Sequence, residues 1–398
     1  MTDSVGLTGI TVLDLGQIYN GPYATFLMAM AGARVIKVES LVGETLRGRG
    51  EKSSAAYPFA MLNQNKESIT LNLKSEAGRE LFLKLVAQAD VVVENFSPDT
   101  MAKLGLGADV LLATNPRLIY AAGSGYGRDG RHRDYLAMDI TVQAMSGIMS
   151  TTGTSDMPPM KAGPAICDFL GGVHLYGAVV TKLFERERTG KGAVLDVAMQ
   201  DAVLPTLATL VGAYYYHGET LQERTGNRHP ALTMAPYNVY PTIDGHVAII
   251  CVRDGHWRAL ATAMGFDDLL GREDLSNMAG RAAAMAEVDE RVSAWTSART
   301  RADVIDILQA ARVPSAVVRN VEEVINDVHL HERGMLHRVM HPVLGEITLP
   351  DSPINVASGR QTSPHPAPAL GQHNHKVYSE MLALDEKEIE RLSEQGVL

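Results

Sequence analysis

The sequence predicts an α/β protein in which an open parallel sheet is followed by a smaller α+β domain. Short apolar segments of strand length alternate with helical patterns through the first part of the chain, and this alternation is typical of parallel β-α-β units. After about residue 225 it gives way to a hairpin pattern and a series of helices. The 398 residues also provide enough chain for two domains and a large core.

The beginning of the chain contains the first β-α-β unit. An apolar strand is predicted at residues 10–15, and a helix begins at Pro22, where the missing N–H of proline is harmless. Residues 34–39, Arg-Val-Ile-Lys-Val-Glu, predict the second strand. A strand, a helix and a strand within this length imply a right-handed crossover between parallel neighbours.

The alternation of strands and helices then continues to about residue 216. The further predicted strands are 69–73, 91–94 and 117–121, and the further predicted helices are 76–88, a short one after Pro98, 173–187 and 200–216. Helix 173–187 is indicated by Leu175, Val179 and Leu183 on one face and by Gly190 as its stop. We therefore predict a large, Rossmann-like domain that begins with residues 1–215.

The chain after residue 225 predicts a different architecture. Residues 237–240 and 246–252 flank a Thr-Ile-Asp-Gly turn, which indicates an antiparallel hairpin. The helical patterns that follow are 255–264, 281–297 and 301–311. We predict a small α+β domain over 225–325 and a separate C-terminal segment, 330–398, which ends in a charged helix.

The composition narrows the class of protein. The 36 basic and 46 acidic side chains give a net charge of −10, which argues against a general nucleic-acid-binding protein. Two cysteines, Cys167 and Cys251, are too few for a disulfide framework and favour a reducing compartment. The chain shows neither a signal-peptide pattern nor an apolar run approaching the ~20 residues of a membrane helix. We expect a cytoplasmic protein that binds neither nucleic acid nor a membrane.

Several common cofactor and catalytic motifs are missing from the sequence. The first loop, Gly-Gln-Ile-Tyr-Asn-Gly at 16–21, lacks the GxGxxG spacing of dinucleotide-binding proteins, and no GxxxxGK[ST] phosphate loop is present. Residues 122–126, Ala-Gly-Ser-Gly-Tyr, lack the outer glycines of the serine hydrolase nucleophile turn. His337 and His341 have no Cys or HExxH partners, so solvated positions are favoured and we expect no metal site.

Asp168 is the carboxylate that the pattern singles out. It follows a small, mostly apolar approach, Ala-Gly-Pro-Ala-Ile-Cys at 162–167, and it precedes Gly171 and Gly172. Two interpretations are open: a helix N-cap, since an Asp before a helix accepts backbone N–H bonds, or a chemical role in which the glycines let a large ligand approach the carboxylate. For Cys167, a buried small hydrophobe is favoured over a thiol nucleophile.

Seven blocks of sequence stand out across most of the chain. They are LTGITVLDLGQIYNGPYAT (7–25), ARVIKVES (33–40), NQNKESITLNLK (63–74), AQADVVVENFSPDTMAKLGL (87–106), GPAICDFLGG (163–172), ERERTGKGAVLDVAMQDAVL (185–204) and PALGQHN (368–374). Together and in this order they resemble the family III CoA-transferases, also called the CaiB/BaiF family. The resemblance implies a homodimer whose subunits interlock, with segment 330–398 returning to the large domain.

The resemblance also implies a mechanism. Asp168 is the catalytic nucleophile that attacks an acyl-CoA thioester and forms an acyl anhydride. The CoA thiolate then returns to give an aspartyl-CoA thioester, and an acceptor acid takes over the CoA through a second anhydride. The N–H groups of Gly171 and Gly172 are candidate oxyanion donors. Coenzyme A enters only as the acyl-CoA substrate, beside a small carboxylic acid, and no cofactor is bound permanently.

The coenzyme A site follows by position from the same resemblance. The matching residues are Ile18 and Tyr19 in the first loop, Leu71, Asn72 and Lys74 after one strand, Asn95, Phe96 and Ser97 after the next, and Lys103. Loops beyond the carboxyl ends of strands are where open α/β sheets bind ligands. Each of these residues has a structural alternative as a loop anchor or a solvated charge.

Two other functions remain open. The resemblance extends to the 2-methylacyl-CoA racemases, which are relatives of the same fold. Those enzymes carry a His-Asp pair where this chain has Met138 and Asp139. A thioether has no useful basicity at neutral pH, and His132 could substitute only after a local rearrangement. A non-catalytic CoA-binding protein is the second alternative, and the presence of Asp168 argues against it.

The only guide to the substrate is the range of acids used by members of the family that the chain resembles. Residues 226–242 lack the run of glycines found in formyl-CoA:oxalate members, which argues against formyl and oxalyl substrates. We expect a dicarboxylic or substituted acid. Arg224, Arg228 and His229 are candidates to meet a second carboxylate, and surface solvation explains them as well.

Overall fold

The computed structural model describes residues 6–48, 56–354 and 364–398. The chain separates into two compact units. The first unit comprises Met1–Met145, Pro164–Leu204 and Asp327–Leu398, and the second comprises Ser146–Gly163 and Pro205–Asn326. The chain therefore leaves the first unit and re-enters it twice.

The strands fall into three sheets. In chain order they are β1 (Thr11–Asp14), β2 (Arg34–Glu39), β3 (Lys66–Thr70), β4 (Val91–Glu94), β5 (Ile119–Ser124), β6 (Ala193–Ala198), β7 (Tyr237–Thr242), β8 (Gly245–Ile250), β9 (Ser315–Val317), β10 (Leu336–His341) and β11 (Gly345–Pro350). Strands β1 to β6 form the main sheet in the order β3-β2-β1-β4-β5-β6, and every neighbouring pair is parallel. This confirms the predicted open parallel sheet.

The helices alternate with the strands of the main sheet and dominate the second unit. In chain order they are α1 (Asn20–Met30), α2 (Thr45–Gly48), α3 (Ala56–Leu62), α4 (Glu76–Val86), α5 (Thr100–Lys103), α6 (Ala108–Thr114), α7 (Asp139–Met145), α8 (Ile148–Thr151), α9 (Ile166–Thr189), α10 (Met199–Val203), α11 (Ala208–His217), α12 (Asp254–Met264), α13 (Asp267–Leu270), α14 (Met278–Ala283), α15 (Met285–Ser297), α16 (Arg301–Ala310), α17 (Val321–Ile325), α18 (Val328–Glu332), α19 (Asn374–Leu382) and α20 (Glu386–Glu394).

Apolar side chains pack on both faces of the main sheet. Because successive strand residues point to opposite faces, Leu13 and Val12 of β1 belong to different layers. The Leu13 layer includes side chains from α4, α6, α19 and α20, and the Val12 layer includes side chains from α1 and α9. A parallel sheet covered on both faces is the usual arrangement in α/β proteins.

The third strand differs from its prediction. β3 covers Lys66–Thr70 rather than residues 69–73. Its alternate side chains Lys66, Ser68 and Thr70 are polar and nevertheless buried, because other parts of the first unit supply their hydrogen-bond partners. The apolar pattern of residues 69–73 therefore predicted this strand too close to the C-terminus.

The predicted helix 200–216 is interrupted in the structure. α10 ends at Val203, a 3₁₀ turn covers Leu204–Leu207, and α11 begins at Ala208. Pro205 lies in the turn, and proline lacks the N–H that a continuous helix needs. The break therefore coincides with the proline.

The C-terminal helices pack on β3, the edge strand of the main sheet. The Tyr378 hydroxyl donates a hydrogen bond to the Thr70 carbonyl oxygen over 2.7 Å, and the Asn374 Oδ1 atom accepts one from the Thr70 N–H over 2.9 Å. The His373 Nδ1 atom accepts one from the Ser68 N–H. These contacts satisfy strand groups that an exposed edge would leave unpaired.

α9, with 24 residues, is the longest helix in the described part of the chain. Among the described residues it is the one helix that is long and apolar enough, by length and composition only, to cross a membrane, although the sequence analysis found no apolar run of that length. Leu175, Val179 and Leu183 of α9 lie in the buried core beneath the sheet. A core helix passes the same test, so the composition of α9 is weak evidence for a membrane span.

The second unit has its own core. Strands β7, β8 and β9 form an antiparallel sheet, and its core includes side chains of α12, α15 and α16. Arg281 is fully buried there. Its guanidinium donates to the carbonyl oxygens of Ala235 and Leu275 and to the Asp254 carboxylate, so the buried charge is paired and hydrogen-bonded.

Candidate active site

Asp168 lies in the first turn of α9, a helix that begins at Ile166 rather than at the predicted residue 173. The side chain that caps this helix belongs to Asp139, the first residue of α7. Its Oδ1 atom accepts hydrogen bonds from the N–H groups of Cys167 over 2.8 Å and Asp168 over 3.2 Å. Since Asp139 satisfies these donors, the N-cap interpretation of Asp168 is wrong and its carboxylate is left for other chemistry.

The surroundings of Asp168 favour its protonated form. Burial, and secondly the negative charge of Asp139, raise the pKa of the Asp168 carboxyl group to about 7. Burial, together with the negative charges of Asp139 and Asp168, raises the pKa of the Cys167 thiol to about 12. A thiol with such a pKa is not a nucleophile near neutrality, which agrees with the expectation that Cys167 is a buried small hydrophobe.

This electrostatic pairing predicts a pH dependence. If Asp168 attacks a thioester, as the family resemblance implies, only its ionised form can do so, and kcat/KM is expected to rise with pH and to level off above a pKa of about 7. Asp139→Asn keeps an oxygen for the two N–H groups and removes the charge. The acid limb of the pH profile is therefore expected to move to lower pH. Asp201→Asn, at an exposed position of α10, is the control, and an acid limb that stays in place in Asp139→Asn would contradict the assignment.

Gly171 and Gly172 lie within α9 and not before it. Their N–H groups are inside the helix, where N–H groups bond to the fourth preceding carbonyl, so the expectation that they serve as oxyanion donors is not supported. A Cβ atom on Gly171 would lie 2.2 Å from the Asn20 Nδ2 atom, and one on Gly172 would lie 2.7 Å from the Asn20 carbonyl oxygen. The glycines therefore allow α1 and α9 to pack closely.

Asn20, the first residue of α1, connects the first loop to Asp168. Its Nδ2 atom donates a hydrogen bond to the Asp168 carbonyl oxygen over 3.4 Å. Its Oδ1 atom is buried and has no hydrogen-bond partner among the described residues. Asn20 therefore places an unsatisfied polar group beside Asp168.

The loops that follow β1 and β4 are joined by a pair of hydrogen bonds. The Gln17 N–H donates to the Asn95 Oδ1 atom over 2.7 Å, and the Asn95 Nδ2 atom donates back to the Gln17 carbonyl oxygen over 2.9 Å. The strand order reverses between β1 and β4, and open α/β sheets bind ligands at such a point. Ile18, which follows Gln17, adopts the left-handed conformation, with a φ of 63°.

A cavity of about 330 Å³ lies at this edge of the sheet, and Asp168 lines it. Four of the residues predicted to bind coenzyme A also line it: Ile18, Asn95, Phe96 and Ser97. The other lining residues are Gln17, Asn20, Thr45, Pro98, Gly123, Ser124, Gly125, Tyr126, Arg133, Tyr135, Ala137, Met138 and Met199. Tyr19 packs nearby, its ring stacked on that of Phe169 with centroids 5.9 Å apart.

A second cavity of about 460 Å³ is lined by Leu71, Asn72, Lys74 and Phe96 together with residues 38–44. Gln17 and Phe96 line both cavities. The Asn72 side chain donates to the Gly396 carbonyl oxygen and accepts from the Lys74 N–H, so it holds this loop against the C-terminus. Lys103 lines neither cavity.

A buried network supports the loop after β4. The Glu94 carboxylate accepts hydrogen bonds from the Tyr120 hydroxyl over 2.8 Å, from Arg128 over 2.9 Å and from the Phe96 N–H over 2.8 Å. Burial raises the pKa of Glu94 even though these donors oppose the change. Glu94 therefore orients Phe96 from beneath the cavities.

A second buried network supports the loop after β1. Asp14 and Lys66 have fully buried side chains and form an ion pair with 2.9 Å between Nζ and Oδ2. The Asp14 Oδ1 atom accepts a hydrogen bond from the Gly16 N–H, and the Lys37 Nζ atom donates one to the Gly16 carbonyl oxygen. The two networks thus support both cavity-lining loops from inside the core.

Sequence reasoning missed several residues of this site. Asp139 is the partner of Asp168, and Asn20, Arg133 and Met199 line the cavity. Asp139 was identified from the sequence only as part of the position where racemases carry a His-Asp pair, and its role as the cap of α9 was not predicted. The other three lie in loops or at helix starts, and neither periodicity nor a spacing motif marks them.

Comparison with known proteins places the chain among acyl-CoA enzymes. Residues 7–374 match CoA-transferase family III. The chain is 38% identical over 390 residues to a succinyl-CoA:mesaconate CoA-transferase of Haloarcula marismortui, covering 94% of this chain and 96% of the relative. It is 33% identical over 419 residues to a formyl-CoA:oxalate CoA-transferase of Streptomyces avermitilis, covering 98% and 99%.

A solved structure shares the fold. The crystal structure of a CaiB/BaiF family protein from Brucella suis superposes with a TM-score of 0.83 at 32% sequence identity, covering 95% of this chain and 100% of the other. Its α/β architecture agrees with the six-stranded parallel sheet described above.

Proposed function

This chain belongs to the family III CoA-transferases, and on that premise we propose that it transfers coenzyme A from an acyl-CoA thioester to a free carboxylic acid by covalent catalysis at Asp168. The observation that carries the proposal is the cavity at the carboxyl ends of β1 and β4. In it the Asp168 carboxylate is partly buried beside Ile18, Asn95 and Phe96, while Asp139 satisfies the backbone donors of its helix.

The proposed reaction has four substitutions. An Asp168 carboxylate oxygen attacks the thioester carbon, the C–S bond breaks, and a mixed anhydride and CoA thiolate form. The thiolate attacks the Asp168 Cγ atom, releases the donor acid and forms an aspartyl-CoA thioester. The acceptor carboxylate attacks the same Cγ atom and releases the thiolate again. The thiolate finally attacks the acceptor carbonyl, which gives the new acyl-CoA and regenerates Asp168.

Holding the thiolate close by makes each of its returns effectively intramolecular. Coenzyme A is proposed to span the two cavities, with its thiol end near Asp168 and its remaining part near Leu71, Asn72 and Lys74. Phe96 and Gln17 line both cavities and would lie along that path. Tyr19, Ser97 and Lys103 complete the proposed set, although Lys103 lines neither cavity.

The acids are proposed to be dicarboxylic. Mesaconate and succinate, named for the relative at 38% identity, are dicarboxylic acids, and so is the oxalate named for the relative at 33% identity. We further propose that the enzyme works in the cytoplasm as an interlocked homodimer. The proposed domains, a large one of 1–215 with 330–398 and a small one of 225–325, differ from the compact units described above in assigning residues 146–163 and 205–215 to the large domain.

The racemase alternative lacks a suitable base. Met138 lines the cavity that contains Asp168, and its thioether cannot accept a proton usefully at neutral pH. His132, the nearest substitute in sequence, packs its ring against Tyr126 and Tyr135 and is not among the lining residues. These positions favour transfer over racemisation.

The test is to trap the covalent intermediates. The protein is incubated with a panel of acyl-CoAs, succinyl-CoA first, quenched with hydroxylamine or borohydride, and digested for peptide mass spectrometry. Modification of the peptide containing Asp168, absent in Asp168→Ala, is the expected result. No adduct with any donor, together with exchange of the α-proton of a 2-methylacyl-CoA into deuterated water, would overturn the transferase mechanism in favour of the racemase. A protein that binds CoA but does neither would be the non-catalytic alternative.

A further inference from the structure

The Asp168 cavity contains one positively charged side chain. Of the residues that line it within the described parts of the chain, Arg133 is the only cation and Asp168 the only carboxylate. Much of the remaining lining is uncharged, and two of its apolar side chains are Met138 and Met199. A nucleophilic carboxylate, an apolar wall and a single cation match an acyl chain that ends in a second carboxylate.

The pairing of Arg133 leaves donors available. Its Nη2 atom lies 2.6 Å from the Asp99 Oδ2 atom, and its Nε atom lies 3.4 Å from the Asp134 Oδ1 atom. Both carboxylates are well exposed, at 50% and 80% of their side-chain area, and ion pairs with exposed groups are weak. The Nε atom is itself buried and makes no hydrogen bond within the described parts of the chain. A planar guanidinium with unused N–H groups is suited to bind a carboxylate through two hydrogen bonds.

The loop around Arg133 is held by aromatic contacts. The rings of Tyr126 and Tyr135, which both line the cavity, meet edge to face with centroids 6.2 Å apart. The ring of His132 packs against that of Tyr135 with centroids 4.7 Å apart. A restrained loop reduces the entropy lost when Arg133 is ordered on a ligand.

Of the three residues expected from the sequence to meet a second carboxylate, the two arginines are engaged elsewhere. Arg228 is paired with Asp289, with 2.9 Å between Nε and Oδ2. Arg224 donates to the carbonyl oxygens of Thr154 and Ser150. All three partners belong to the second unit, whereas Arg133 shares a cavity with Asp168 in the first.

We propose that Arg133 binds the remote carboxylate of a dicarboxylic acyl group and thereby makes the enzyme selective for dicarboxylic acids. This inference rests on the proposed function, since it assigns the acyl end of the same reaction. It makes Arg133 a specificity-determining residue that contacts the substrate at the end opposite to the reacting carbon.

The test compares two acyl groups that differ only in the remote carboxylate. Succinyl-CoA and butyryl-CoA have equally long chains, and butyryl ends in a methyl group. Arg133→Met is expected to lower kcat/KM for succinyl-CoA by about 10- to 100-fold, the usual effect of losing charged hydrogen bonds, and to change the value for butyryl-CoA by less than about twofold. The affinity for free CoA, measured by calorimetry, is expected to stay the same. Arg131→Met, at an exposed position in the same loop, is the matched control and is expected to match the wild type in all three measurements.

A second variant tests whether freeing Arg133 from its partner improves binding of the dicarboxylic acid. Asp99→Asn removes the strongest partner of Arg133 without touching the cavity lining, so the KM for succinate as acceptor is expected to fall. Circular dichroism checks that both variants fold, and Arg133→Lys, which keeps the charge but not the paired donors, replaces Arg133→Met if that variant does not.

The outcomes separate the two proposals. An equal loss for succinyl-CoA and butyryl-CoA, a loss of CoA affinity, or no loss at all would overturn the role of Arg133 and leave the transferase intact. A wild-type protein that transfers CoA between no pair of acids would overturn the proposed function and this inference with it.

Discussion

Asp168→Ala is expected to reduce CoA transfer by at least about 10³-fold, as removing the nucleophile of a covalent mechanism usually does. The side chain lies in a cavity with no second carboxylate among its described lining residues, and the neighbouring Asp139 carboxylate is held by the backbone N–H groups of α9. Steady-state transfer between succinyl-CoA and an acceptor acid measures the loss.

Two further variants give this prediction its control. Asp168→Asn keeps the size of the side chain but replaces the nucleophilic carboxylate with an amide. It is therefore expected to be as inactive as Asp168→Ala while still binding CoA. Asp306→Ala, at an exposed position of α16, is expected to retain full activity. Transfer above about a tenth of the wild-type rate in either Asp168 variant would show that the carboxylate is not the nucleophile.

Lys66→Met is expected to destabilise the protein by about 3–5 kcal/mol, because it leaves Asp14 as a buried charge without its main partner. The Lys66 Nζ atom contacts four oxygens, those of Asp14, Pro22, Thr25 and Asn63. Burial lowers the pKa of Lys66 to about 8, and Lys66 and Lys37 hold the pKa of Asp14 below its usual value against the opposing effect of burial. Both groups are therefore charged near neutral pH. Urea unfolding followed by circular dichroism measures the loss.

The matched control is Lys376→Met. Lys376 is half exposed and paired with Glu67, and its removal is expected to change stability by about 1 kcal/mol or less. The double variant Asp14→Asn, Lys66→Met removes both charges and is expected to recover part of the stability lost in Lys66→Met alone. A Lys66→Met protein as stable as Lys376→Met would contradict the role of the buried pair.

The sequence pattern correctly predicted the strands whose buried side chains are mainly apolar. β1, β2, β4 and β5 contain runs such as Val-Val-Val at 91–93, which are buried in full. β3 was misplaced because Lys66 and Ser68 are buried through polar partners far along the chain, and no local pattern contains those partners. β6 was missed because it lies at an edge of the sheet and alternates between half-buried and exposed residues.

Some residues of the candidate site could likewise be predicted from local sequence, and others could not. Asp168 could be found because its neighbours match a family block, and Ile18, Asn95 and Phe96 could be found because they follow strands. Asp139 and Arg133 act through contacts that depend on how one loop folds over the start of α9. The N-cap interpretation of Asp168 failed for this reason: the capping carboxylate comes from a distant position in the chain and satisfies donors that local sequence assigns to a nearby side chain.

The sharing of Gln17 and Phe96 by the two cavities has a consequence for the order of events in turnover. If the nucleotide end of coenzyme A rests in the larger cavity, one acid can depart from the smaller cavity and the next can arrive while the nucleotide stays in place. The coenzyme would then behave as a prosthetic arm for the length of a catalytic cycle. Labelled CoA added to the solution would enter the product more slowly than labelled acid does. The reason is that only the acids would exchange between protein and solvent in every catalytic cycle.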